Sequence, residues 1–207
     1  MVALTPNDRS RLQDAVAAAE QRTSAEIVLA VAEVSDDYRT YPLLFSAACG
    51  FICAGVIAVL WPEMPVRMAF VFTGAVIFAA LLLSHWAPLH MMLVPGGVRQ
   101  KTAAALAQTE FAERVAGRTA RANGLLIFIA LGERYVTIIP EHGLRRLVPE
   151  AAWQTIIADL VKEVGAGRLA DGLTAAIGAC ATIFAEKCPP GADNANEIDN
   201  SVGLINS

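Results

Sequence analysis

Cysteine, histidine and charge are all scarce in this sequence, and each scarcity removes a class of function. Four cysteines among 207 residues are too few and too unevenly spaced for a disulfide framework. Cys49 and Cys53 stand one helical turn apart inside an apolar run, Cys180 falls on the apolar face of a late helix, and Cys188 follows that helix. They read as reduced packing thiols of a reducing compartment, with metal or lipid attachment at Cys49 and Cys53 as the alternative. With three histidines in all, no zinc spacing of Cys and His exists, and there is no Walker loop, Gly-x-Ser-x-Gly elbow or dinucleotide fingerprint. Charged residues make up 17% of the chain and the formal charge is −4. No dense basic face is evident, which argues against nucleic acid as a partner. No internal repeat is visible either.

What the chain has in excess is apolar sequence. Between Thr40 and Gly97 the only Asp, Glu, Lys or Arg residues are Glu63 and Arg67. Leu43 to Trp61 runs for nineteen residues without a formal charge, and Met68 to Trp86 for another nineteen whose ionisable side chain is His85. As helices, at about 1.5 Å per residue, each reaches roughly 28 Å, close to the hydrocarbon thickness of a bilayer. A helix also satisfies its own backbone groups, which lipid cannot do. The polar bend Pro62-Glu63-Met64-Pro65-Val66-Arg67 completes a membrane hairpin. Gly50 and Ala54 on the first span, and Ala75 and Ala79 on the second, are its expected packing faces. Two spans without a buried charge offer no midplane site, which argues against a transporter.

No basic, apolar and small-residue succession of a secretion signal opens the chain. Arg22 and Arg39 precede the first span and Arg99 and Lys101 follow the second, against Arg67 alone in the bend. The bias expects both termini in the cytoplasm. His85 and His90, beside Trp86, read as interfacial residues.

The remaining sequence reads as one soluble core. Thr5, Pro6 and Asp8 carry a helix start, followed by the stripe Leu12, Ala15, Val16 and Ala19. Glu26 to Val34 is a strand whose unbroken apolar centre expects cover on both faces. A helix is expected from about Val98 to Arg121. Its cations Arg99, Lys101, Arg114, Arg118 and Arg121 form a solvated face, or hold anionic headgroups. Asn123-Gly124 opens a second buried strand, Leu125 to Leu131. A two-residue turn at Gly132-Glu133, with Glu133 and Arg134 as exposed turn charges, leads to a return strand Arg134 to Ile139 ended by Pro140. Helices from Pro149 to about Val164 and from Leu169 to Lys187 follow, with Gly165 and Gly167 between them. Trp153 and Tyr135 are expected in the core. The predicted architecture is a three-layer α/β/α domain with a mixed sheet, built from residues 1–39 and 96–188 and interrupted by a transmembrane hairpin over 40–95. Residues 189–207 read as a disordered tail.

Residues Asn123-Gly124-Leu125 through Pro140-Glu141-His142-Gly143 resemble the central hairpin of the TPM-domain family. Gly165-Ala166-Gly167-Arg168-Leu169-Ala170-Asp171-Gly172-Leu173 resembles its closing helix pair. Thr23-Ser24-Ala25-Glu26-Ile27-Val28 and Ser35-Asp36-Asp37-Tyr38 resemble its first strand in a bacterial membrane subgroup, which also carries two spans after that strand. The resemblance implies an inner-membrane location and a TPM fold. It also implies one of several roles: an acid-phosphatase-like activity, binding of calcium or another divalent cation, or an accessory role in a membrane complex. A histidine common near the end of the helix before the second strand is replaced here by Val115-Ala116-Gly117-Arg118-Thr119, so a site dependent on that imidazole is absent.

Ligands of open α/β sheets gather beyond the carboxyl ends of the strands. That rule selects Glu33, Asp36 and Asp37, with Asn123 or the Glu141-His142 corner folding close to them. Such hard oxygen ligands suit calcium or magnesium, which would polarise a phosphoryl oxygen; the plainer reading is a solvated acidic loop and a surface histidine. Two functions are therefore expected. One is a cytoplasm-facing module that binds or assembles other membrane proteins at the lipid bilayer; the other is a divalent-metal phosphatase.

Overall fold

The computed structural model describes residues 4–36, 38, 40–84, 92–119, 121–190, 198 and 202–205. The chain divides into two compact units, Met1–Ser35 with Lys101–Ser207, and Asp36–Gln100.

In the first unit, helix α1 (Pro6–Glu20) starts where the sequence places it. Thr5 and Asp8 close a reciprocal capping box, and Thr5's hydrogen bonds hold the exposed Asp8 carboxyl below its usual range. Strand β1 (Glu26–Ala32) pairs in parallel with β2 (Gly124–Ala130) over its whole length, Glu26 opposite Gly124 and Ala32 opposite Ala130. Both strands are buried at every residue, as their unbroken apolar runs require. Strand β3 (Tyr135–Pro140) returns antiparallel to β2. The connection is a four-residue loop, Leu131 to Arg134, rather than a two-residue turn. Arg134 N–H bonds Leu131 O and Arg134 takes φ +53°, so Arg134 supplies the left-handed residue that a glycine would supply in the shorter turn. Pro140 is the last residue of β3, opposite Leu125.

The tail reading is corrected over three residues. Gly203–Ile205 forms β4 and pairs in parallel with β1, Ala30 opposite Gly203, giving the order β3-β2-β1-β4. Tertiary pairing overrides a polar local composition here, because β1 otherwise has an open edge. Lower on that edge the buried Glu20 carboxylate accepts the Ile27 N–H at 3.1 Å.

Alternate strand residues point to opposite faces. Ile27, Leu29, Val31, Leu125, Ile127 and Ile129 pack with α1, α6 (Glu150–Gly165) and α7 (Leu169–Lys187). Val28, Ala30, Leu126 and Phe128 pack under α4 (Gly96–Arg114) through Ala103 and Ala107. The three layers are those the sequence predicts. Trp153 is core, its ring 5.9 Å from Phe184, whereas Tyr135 is half-buried. Burial pushes the Cys180 thiol up to about 12.

Helix α4 ends at Arg114, seven residues before the expected stop. Val115 to Thr119 turn away, with Gly117 at φ +70°. A six-residue helix, α5 (His142–Leu147), follows β3 where no element is expected.

The second unit holds α2 (Thr40–Leu60) and α3 (Val66–Ser84), matching the two predicted spans to within a few residues; His85, Trp86 and His90 lie outside the described residues. Gly50 is buried on α2, and a Cβ there would stand 2.5 Å from Ile77 Cγ1. Ala54, Ala75 and Ala79 are exposed, Ala54 bordering a furrow between the two helices. The face of α3 that meets α2 carries Thr73 and Ile77 instead, half-buried like Cys49 and Cys53 of α2.

Three helices among the described residues are long and apolar enough to cross a membrane, α2, α3 and α7. Burial separates them. In the most apolar stretch of α7, 44% of residues are buried, against 11% for α2 and 0% for α3. Helix α7 spends its apolar face on the core of its own unit, whereas Phe51, Val59, Phe70 and Phe78 of the hairpin stay exposed.

Candidate functional site

The expected site residues fall at two ends of one sheet. At the carboxyl end of β1, Glu33 is exposed. Its N–H donates to Ile205 O at 3.4 Å and its carbonyl accepts Gly132 N–H at 2.9 Å. Asp36 is exposed in the other unit, and Asp37 lies outside the described residues. Glu133, expected as an exposed turn charge, is buried and accepts Ser35 N–H at 2.8 Å. It ties the exit of β1 to the β2–β3 loop, leaving Arg134 exposed.

Asn123 and Glu141 occupy the opposite, amino end. Asn123 precedes β2, and β3 runs back antiparallel, so Glu141 returns to the same side. The seven residues of β1, at about 3.3 Å each, put more than roughly 20 Å between this end and the Glu33 end. The parallel pairing of β1 and β2 therefore prevents the convergence of Glu33 with Asn123 or Glu141-His142. Among the described residues no group of three or more His, Cys, Asp or Glu side chains is placed to hold a metal ion. Glu33 therefore shares no ligand set with Asn123, Glu141 or His142.

Glu141 already has other partners. Its buried carboxylate accepts Thr119 Oγ1–H at 2.5 Å, Gly124 N–H at 2.8 Å and Gly117 N–H at 3.0 Å. Thr119 Oγ1 in turn accepts Asn123 N–H at 3.0 Å, and the Asn123 side-chain amide donates to Ser24 O. Both residues thus knit loops together, and His142 lies exposed at the start of α5. Sequence reading missed Gly117, Thr119, Gly124 and Gly143 as the frame of this corner. Its legible signal was the glycines. A Cβ at Gly124 would stand 2.4 Å from Val115 Cγ1, and one at Gly143 would stand 2.5 Å from Ala122 O.

A separate furrow of about 490 Å³ runs between α6 and α7 over Gly172, Ala176 and Ala179. Two carboxylates border it, Asp159 and Glu163. Glu163 is held by Arg168 Nε at 2.6 Å, which lowers its carboxyl below the usual range. Its hydroxyls, Thr155 and Thr182, donate to the backbone carbonyls of Ala151 and Gly178 and not to either carboxylate.

Comparisons with known proteins follow the same outline. The family model for the TPM domain matches residues 91–183. No curated protein matches the sequence. In fold the chain is similar to the BA42 protein of the psychrophilic bacterium Bizionia argentinensis, solved by NMR, with a TM-score of 0.57 and 16% identity over 98% of this chain and 95% of that one. Residues 91–183 are thus similar to the TPM domain, and the α/β/α layers with their β2–β3 hairpin are similar in fold to the BA42 protein.

Proposed function

We propose that this protein is an integral membrane protein of the bacterial inner membrane whose TPM domain faces the cytoplasm and serves as a binding or assembly module for a membrane complex. The observation that carries this reading is the contrast between α2–α3 and every other element. Two helices of 21 and 19 residues leave most of their large apolar side chains exposed, while the helices of the α/β body bury theirs apart from Leu147 and Val161. An apolar surface of that length is stable in lipid and aggregates in water. The charge bias of the flanking segments supports a cytoplasmic body. A module reading fits the amino end of the sheet, whose buried polar groups are engaged in holding loops in place. The metal-phosphatase alternative lacks a converged ligand set among the described residues, and nothing in the geometry favours it.

Membrane topology tests the proposal. Single cysteines at Glu63 in the bend and Arg134 in the body would be exposed to a membrane-impermeant maleimide in intact cells. Labelling of Glu63→Cys from outside, and of Arg134→Cys only after permeabilisation, is expected. Labelling of Arg134→Cys in intact cells would overturn the orientation, and recovery of the chain in the soluble fraction would overturn the anchor.

A further inference from the structure

We infer that the amino-end corner of the sheet is a docking surface for an acidic, extended protein segment carrying an apolar anchor. A loop and a short helix make the corner. The loop, between α4 and β2, carries Arg118 and Arg121; the helix is α5, with Arg145, Arg146 and Leu147. Glu141 clasps the loop through Gly117 and Thr119, and Gly143 N–H donates to Ala122 O at 2.8 Å. A Cβ at Gly143 would also stand 2.9 Å from Arg121 O, so the two cationic segments are in backbone contact.

Like charges held together in this way need an external reason, because they repel. From Val115 to Pro149 the two carboxylates, Glu133 and Glu141, are buried and the four arginines of the corner are exposed. None of those four pairs with a carboxylate among the described residues; Arg145 reaches Pro140 O at 3.4 Å. Exposed Glu113, Glu150 and Glu186 stand on helix ends at the same side, where Arg22 and Lys187 add to the cations. On the exposed surface of this end cations outnumber carboxylates, the buried Glu20, Glu26 and Glu141 lying beneath it.

Two features choose the partner. Leu147 is 46% exposed beside Arg145 and Arg146, an apolar contact ringed by charge, as at the centre of a peptide-binding patch. No exposed aromatic ring accompanies it between Val115 and Pro149, so bases would have no stacking platform.

The inference rests on the module reading above. Its test uses the full chain in phosphatidylcholine nanodiscs and a fluorescent twelve-residue peptide of Asp and Glu with two leucines, followed by anisotropy. Binding is expected to weaken at least tenfold in Arg118→Glu/Arg121→Glu and in Arg145→Glu/Arg146→Glu, and to fall steeply with added salt. Leu147→Ser should weaken it severalfold, while Arg9→Glu on α1 should leave it unchanged. The paired Arg→Gln variants, which keep side-chain size, should show the same order and so separate lost binding from lost fold. Absence of peptide binding, equal binding by all variants, or reversal-sensitive binding to phosphatidylglycerol vesicles in place of the peptide would overturn the inference. Those results leave the anchor intact, which the maleimide labelling tests by itself.

Discussion

The hydroxyl of Thr119 donates to the carboxylate of Glu141 at 2.5 Å, across 22 positions of sequence. That bond, with those from Gly117 and Gly124, closes the amino end of the sheet. Glu141→Ala would leave two buried donors, Thr119 Oγ1–H and Gly124 N–H, unpaired and should cost about 3 kcal/mol, since an orphaned buried donor loses its full solvation. Glu141→Gln keeps one acceptor oxygen and should cost about half as much. Thermal melts of the detergent-solubilised chain, followed by circular dichroism, decide the order. An Ala variant that melts with wild type would refute the assignment.

Glycine substitutions should divide by sign. At Gly143 a Cβ would stand 2.5 Å from Ala122 O, a backbone atom with little room to move. Gly143→Ala should therefore destabilise by about 2 kcal/mol. Gly178 in α7 is exposed with nothing within 4 Å of an added Cβ, so Gly178→Ala should stabilise by about 0.5–1 kcal/mol through helix propensity. Melting temperatures that moved in the same direction would contradict the packing described.

Cys180 makes stability fall at high pH. Burial raises its thiol to about 12 in the folded chain, while in the unfolded chain it titrates near its ordinary value. Below the unfolded value both states hold the proton and the full stability is present. Between the two values only the folded state holds it, so stability drops as pH rises. The expected loss, on the order of a few kcal/mol, should vanish in Cys180→Ala. Urea midpoints at pH 8 and pH 11 measure it, and equal slopes in both proteins would rule out the burial effect.

Removing residues 202–207 should expose the β1 edge. Glu33 loses the Ile205 carbonyl, and Ala30 to Ala32 lose their partners. Stability should fall by about 1–3 kcal/mol, and an open edge promotes intermolecular pairing. Light scattering of the truncated chain in detergent should rise with concentration. Unchanged melting and scattering would show that β4 contributes nothing.

Much of the fold was legible because its signals are local. The Thr5 cap, the two spans and the unbroken apolar strands Ile27–Ala32 and Leu125–Ala130 each carry their own evidence. What escaped is non-local. Three residues, Gly203 to Ile205, are too short to show a period, and their strand exists because β1 has an edge to fill. The early end of α4 was hidden because Gly117 is stabilised by Glu141, 24 positions away. One juxtaposition that the sequence suggested does not form, and the reason is the polarity of β2. Glu33 follows a strand and Asn123 precedes one, and once those strands are parallel the two residues stand at opposite ends of the sheet. Arg118 and Arg121 were read as part of a longer helix, Arg145 and Arg146 lie on a helix that was not expected, and the four became a surface only when the loop after Arg114 met α5.

The claim on which the rest depends is that α2 and α3 lie in lipid. Spin labels placed singly at Phe51, Val59, Phe70 and Phe78, all exposed in the structure, and read in reconstituted bilayers against oxygen and a water-soluble nickel chelate, test it directly. High collision with oxygen and low collision with the chelate at all four positions is the expected result; ready access of the chelate to them would contradict it.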